Sequence, residues 1–190
     1  MGWFPCCCSA RLFCSVCSDD FVRSTGTTIV DNWIETSGDW QIQNHSDYGY
    51  TLTTIDDNAI AICSGELPSG YVPIGQVCVD MQFSGVNKTG NIILDYLDSD
   101  NFHYLSITPH SGSSYTGITG LLYSRTSGID SIISSGGIPC PLNSTPKVYT
   151  CLCRDSGVGI NGYLEYYYGS QATITGTTVF HSGYQAGLGS

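Results

Sequence analysis

From Asp19 onward the chain alternates between short apolar or half-apolar runs and clusters of Gly, Ser, Asn, Asp and Pro, and no helical period persists over three turns. An antiparallel sandwich or barrel has this rhythm: each run is a strand with every second residue facing a core, and each cluster is a turn. Candidate strands open at Trp40–Gln41–Ile42, run through Tyr50–Leu52, and continue at Ala59 to Cys63 before Ser64–Gly65. Gly75 to Phe83 alternates through Val77, Val79 and Met81. Asn91 to Leu97 and Phe102 to Thr108 form a hairpin around Asp98–Ser99–Asp100–Asn101. Further strands are expected at Thr119–Ser124, Asp130–Ser134, Lys147–Arg154, Gly162–Tyr168 and Thr177–His181, with Ser134–Ser135–Gly136–Gly137 as a loop. No internal repeat is present.

The composition fits one such domain. A chain of 190 residues, 41% hydrophobic, has enough apolar surface for one core. Only 12% of its residues are charged, against about 25% in a typical soluble protein. Sixteen acidic and six basic residues give a net charge of −10, and so few cations cannot neutralise a phosphate backbone, which excludes nucleic acid as partner. No run approaches the roughly 20 apolar residues of a membrane span. Met1 to Cys17 lacks the basic start of an export signal, and Ser9 and Arg11 interrupt its apolar stretch. The chain therefore divides into a cysteine-rich N-terminal arm, residues 1–18, and a β-domain, residues 19–190.

Ten cysteines separate into two odd groups: Cys6, Cys7, Cys8, Cys14 and Cys17 in the arm, and Cys63, Cys78, Cys140, Cys151 and Cys153 in the body. Full pairing within one chain needs at least one bridge from arm to body; a metal site or a link to another chain also resolves the arithmetic. Cys14-x-x-Cys17 with Cys6 and Cys8 offers four thiolates for Zn²⁺, and the alternative is a disulfide cluster. In the body, Cys63 and Cys78 sit at the ends of two strands, where a bridge would close about 15 residues for roughly 3 kcal/mol. Cys151 and Cys153 share one face of one strand, and one of them is expected to meet Cys140. The alternative is that all are small buried residues.

Asp19–Asp20–Phe21, Asp31–Asn32–Trp33 and Ser37–Gly38–Asp39–Trp40–Gln41–Ile42, then Asp98–Ser99–Asp100–Asn101–Phe102, then Ala186–Gly187–Leu188 within Gly183 to Gly189, occur in an order that resembles the concanavalin A-like and laminin-G-like lectin jelly-roll family, of the type found in bacterial or viral surface proteins. The resemblance spans Asp19 to Ser190 and implies an all-β, antiparallel two-sheet jelly-roll sandwich. It also implies a further strand after Gly187–Leu188–Gly189, returning beside the first. The chain stops at Ser190, so an open edge is expected, and with it self-association through that edge or through the arm.

Glycosidase chemistry needs two carboxylates about 5 to 9 Å apart. Asp80 stands alone in its strand, Asp95 and Asp98 fall on opposite parities, and Glu165 has no evident partner. His45, His103, His110 and His181 lack metal-ligand spacing. Asp98, Asp100 and Asn101 suit either Ca²⁺ or, as the preferred reading, a hairpin turn whose side chains bond their own backbone; Asp56–Asp57–Asn58 is read the same way. Tyr166 and Tyr168 share a face, with Tyr167 on the other; sugar rings stack on such faces while Asp and Asn bind hydroxyls. The expected glycan-binding set is Tyr166, Tyr168, Asp98, Asp100 and Asn101, within a wider group that includes Tyr163. The sequons at Asn44, Asn87 and Asn143 are read as chance. The expectation is thus a non-catalytic, lectin-like structural or glycan-binding subunit of a surface assembly (filament, sheath or virion-like particle), extracellular, on a cell surface or on a virion. It requires no cofactor, with Zn²⁺ at the arm or Ca²⁺ at the Asp-rich loop as the candidate ions. The alternative is a glycoside hydrolase of the same fold.

Overall fold

A computed structural model describes residues 33–45, 49–54, 56, 59–63, 76–112, 116–142, 146–154, 159–166, 170–178 and 185–190. The arm, with Cys6, Cys8, Cys14 and Cys17, lies outside the described residues, as does Asp19–Asp20–Phe21. Within them the chain forms thirteen strands and no helix. In order these are β1 (Trp33–Ser37), β2 (Trp40–His45), β3 (Gly49–Thr54), β4 (Ile60–Cys63) and β5 (Gln76–Gln82). Then come β6 (Gly90–Asp98), β7 (Asn101–Ser111), β8 (Thr116–Thr126) and β9 (Ile129–Pro139). The last are β10 (Lys147–Arg154), β11 (Gly159–Tyr166), β12 (Ser170–Thr177) and β13 (Gln185–Gly189).

A seven-stranded sheet of order β1-β4-β13-β6-β7-β8-β9 faces a four-stranded sheet of order β12-β11-β10-β5, and β2 pairs with β3 alone. All pairings are antiparallel. The antiparallel two-sheet sandwich that the strand rhythm admits and the family resemblance implies, as a jelly roll, is therefore the observed fold. Between the sheets, every second residue is buried, as a pleated strand dictates. Ile92 and Leu94 (β6), Leu105 and Ile107 (β7), Ile118 and Leu122 (β8) meet Val148 and Leu152 (β10), Ile160 and Leu164 (β11) and Ile174 (β12) in one core. Trp40 of β2 joins the same core.

Four sequence expectations change. The segment 134–137, expected to be a loop, continues β9 against β8, with Gly136 opposite Gly120. These glycines serve close packing: a Cβ on Gly120 would stand 2.5 Å from Ile174 Cδ1 and 2.9 Å from Leu164 Cδ1, and one on Gly136 would stand 2.9 Å from Ile174 Cγ1. Ile174 is a knob, and the two glycines are its hole. Second, its strand β12 covers Ser170–Thr177, upstream of the run expected at Thr177–His181; most of that run lies outside the described residues. Third, β13 is itself a returning strand, paired on one side with β4 and on the other with β6. Ser190 fixes it, its N–H donating to Ala59 O (3.1 Å) and its hydroxyl to Asp56 O (2.6 Å).

The fourth change concerns the cysteines. Cys63 and Cys78 do not bridge, because β4 and β5 belong to different sheets. Cys78 instead lies directly opposite Cys151 across the β5–β10 ladder and is disulfide-bonded to it, with Cα atoms 4.1 Å apart. At a sequence separation of 73 the bond stabilises by about 4–5 kcal/mol in the chain-entropy model. Cys63 is also disulfide-bonded. Cys140, expected in a bridge, is a buried thiol, as is Cys153; burial pushes the Cys140 thiol up, away from reactive thiolate.

The Ile174 knob yields a direct test. Gly120→Ala overpacks the contact and is expected to destabilise the fold by about 1–3 kcal/mol, read as a lower urea midpoint at unchanged m-value. An unchanged midpoint would show that the sheets are not in this close contact.

Candidate functional site

Two polar constellations stand out, one between the sheets and one on an outer face. The inner one begins with an irregularity in β6. Register against β7 shifts between Leu94 and Asp98, and Asp95 adopts a left-handed backbone with φ of 56°. Such a bulge turns two successive side chains to one face, so Asp95 joins Leu94 inside while Tyr96 points outward. There Asp95 Oδ2 accepts from Arg154 Nε at 2.6 Å and from Arg154 Nη2 at 2.5 Å. His103 Nδ1 lies 3.0 Å from the same oxygen, and its Nε2 lies 3.1 Å from Thr178 Oγ1. An imidazole that donates to Asp95 and accepts from Thr178 uses both ring nitrogens. Arg154 and His103 are fully buried and Asp95 is 3% exposed. The group joins β6 and β7 of one sheet to β10 of the other, buried from solvent. It is a structural pin.

The outer constellation covers the solvent face of the four-stranded sheet. Because Val148, Leu152 and Leu164 face the core, the odd-numbered residues of β10 and β11 face out. One cross-strand row reads Asp80, Tyr149, Glu165, Gln171; the next reads Cys78, Cys151, Tyr163, Thr173. Tyr149 is 40% exposed, and its ring meets that of Tyr163 edge-on, centroids 6.4 Å apart. Tyr163 Oη donates to Glu165 Oε2 at 2.9 Å, which orients the carboxylate beside the rings. Lys147 Nζ stands 3.7 Å from Asp80 Oδ2. The Cys78–Cys151 bond lies in the row of Tyr163 on the same face and locks β5 to β10.

The sequence-predicted residues fall in separate places. Tyr166 is on the inner parity of β11 and 2% exposed, a core residue; Tyr168 lies outside the described residues. Asp98, Asp100 and Asn101 form the β6–β7 turn. Asp98 Oδ1 accepts from Asp100 N and Asn101 Nδ2, both at 2.8 Å. Asn101 Oδ1 in turn accepts from Ser127 N at 3.1 Å in the β8–β9 turn. Their side chains hold the two turns together, as the hairpin reading expects. Among the described residues no group of three or more His, Cys, Asp or Glu is placed to hold a metal. Of the aromatic group singled out from sequence, Tyr163 is on the platform. Tyr149 was not among them, although its parity with Cys151 in one strand was the available signal.

The seven-stranded sheet carries its own outer aromatics. Tyr104 stacks on Tyr123 at 4.7 Å, and Arg125 lies over Phe102 while binding Asp130 through two bonds of 2.9 Å. Burial, then the Asp130 carboxylate, pushes the Tyr104 phenol well above its ordinary value. Phe102 and Tyr96 in that row are 4% and 7% exposed, so most of it is enclosed.

No protein-family model matches the chain, and no curated protein matches it by sequence. Among solved structures it is similar to the carbohydrate-binding module CBM66 from Bacillus subtilis, with a TM-score of 0.55 and 14% identity over 84% of this chain and 87% of that one. The chain is an antiparallel two-sheet β-sandwich. The likeness is one of fold, and it does not single out the concanavalin A-like or laminin-G-like family.

The buried pin can be tested on stability. Asp95→Ala leaves a fully buried guanidinium without its counter-charge, and the expected loss is about 3–5 kcal/mol by urea denaturation. A loss below about 1 kcal/mol, the scale of a surface ion pair, would contradict the buried placement.

Proposed function

We propose that the chain is a non-catalytic glycan-binding module acting as a subunit of an extracellular or virion-surface assembly. The observation that carries the glycan reading is the Tyr149–Tyr163 platform, bordered by Asp80, Glu165, Gln171 and Thr173 on a rigid, disulfide-locked sheet. Pyranose and furanose rings present apolar C–H faces that pack on exposed aromatic rings, while carboxylates and amides accept and donate to hydroxyls at the rim. A solved carbohydrate-binding module of the same fold supports it. The Cys78–Cys151 bond fits an oxidising, extracellular setting.

The hydrolase alternative finds its best carboxylate pair here as well, because Asp80 and Glu165 share one row, two strand spacings or about 10 Å apart. Tyr149 stands between them, where the scissile bond and its water would have to sit. Asp80 is 59% exposed, so no enclosure strengthens the electrostatics that glycoside cleavage needs. The geometry favours binding over catalysis.

A glycan array followed by calorimetry on the best ligand tests the reading. Tyr149→Ala is expected to weaken binding at least about tenfold, the loss of one stacking contact of roughly 1.4 kcal/mol, without changing thermal stability. Undiminished binding by this variant, or no ligand on the array, would remove the platform as a glycan site.

A further inference from the structure

The sandwich ends on one side in two edge strands that pack on each other, β9 of the large sheet and β12 of the small one. Their nineteen residues, Ile129–Pro139 and Ser170–Thr177, include one charge, Asp130, which Arg125 of the neighbouring strand already binds. The other terminal strands differ: β5 carries the exposed Asp80 and β1 carries Glu35. In a chain of net charge −10, a charge-free side is where two copies can approach without like-charge repulsion.

The geometry of β9 adds to this. Its eleven residues span about 36 Å, with β8 on one side and, among the described residues, no strand on the other. Of the usual edge protections it carries one bulge and one charge, already bound by Arg125, but no lysine, and proline only at its last position, Pro139. Where β9 carries one residue more than β8, the register shifts between Leu122 and Tyr123. Ile133 there turns into the core and Ile132 outward. Ile132 is consequently 61% exposed and Ile129 is 70% exposed, the two most exposed large apolar side chains described.

We infer that β9 pairs antiparallel with β9 of a second copy of this chain about a twofold axis, joining the two seven-stranded sheets into one continuous sheet. An antiparallel edge is complementary to itself under twofold rotation, which makes a second copy the natural occupant. Backbone hydrogen bonds supply the join, with Ile132 as an apolar contact on the outer face and Ile129 on the opposite face. This inference rests on the assembly part of the function proposed above and is independent of its glycan part.

Light scattering coupled to size-exclusion chromatography on the full chain, from low to high micromolar, reads the outcome. The wild type is expected to form a dimer that non-reducing electrophoresis shows to be non-covalent. Ile132→Lys with Ser135→Lys, both on exposed outward positions, is expected to yield a monomer of unchanged melting temperature that still binds the glycan identified on the array. Hydrogen exchange on the unsubstituted chain gives a second readout, with amides of 129–139 gaining protection as the dimer forms. A wild type that stays monomeric overturns the inference. So does a dimer held by an interchain disulfide, one that survives both lysines, or one whose protection appears elsewhere. Undiminished glycan binding by Tyr149→Ala with the dimer intact would count against the platform alone.

Discussion

The contact between Arg154 and Asp95 joins β10 of the small sheet to β6 of the large one inside the sandwich. A guanidinium taken from water into an apolar interior costs several kcal/mol, and an aligned carboxylate is what offsets that cost. The alignment depends on the left-handed residue in β6, since a regular strand would have turned Asp95 outward. His103 and Thr178 complete the hydrogen bonding, so the irregularity, the ion pair and the imidazole form one unit. Towards the β9 and β12 edges the sheets are held by shape, with Ile174 seated against Gly120 and Gly136. A directional polar contact and a non-directional apolar one together fix how the sheets lie.

That inner arrangement determines what the outer face offers. With Arg154, Leu152, Thr150 and Val148 committed to the interior, Tyr149 and Cys151 must lie on the outer face, where Tyr149 is exposed. The antiparallel register then brings Asp80 and Glu165 to either side of Tyr149 and places Cys78 opposite Cys151. The platform is thus the reverse side of the core.

Much of this was legible in the sequence. The alternation through Val77, Val79 and Met81 marked β5, and Lys147–Arg154 coincides with β10. The turn chemistry of Asp98, Asp100 and Asn101 was readable because such side chains bond locally. What escaped was non-local. Gly136 and Gly137 resemble a turn in any window, and only the approach of Ile174 from a distant strand shows them to be part of β9. Strict parity makes Asp95 an outward residue, because a bulge leaves no sequence signal as clear as the alternation it breaks. Tyr166 was misplaced for a related reason: Tyr163 and Tyr166 lie at opposite parities of one strand, and the face that is buried is decided by the partner sheet.

Strands β6 to β9 are consecutive hairpins, each paired with its sequence neighbour. The rest of their sheet comes from far away in the chain: β13 closes against β6 and β4, and β1 lies beyond. Local pairs close cheaply and distant ones slowly. The meander is therefore the part able to form first, with its β8–β9 turn already set by Ser127 and Gly128 at φ of 51° and 76°. The Cys78–Cys151 bond encloses this whole meander in one covalent ring, so the early-forming unit stays tethered to the strands that flank it while the two ends of the chain are still finding their places.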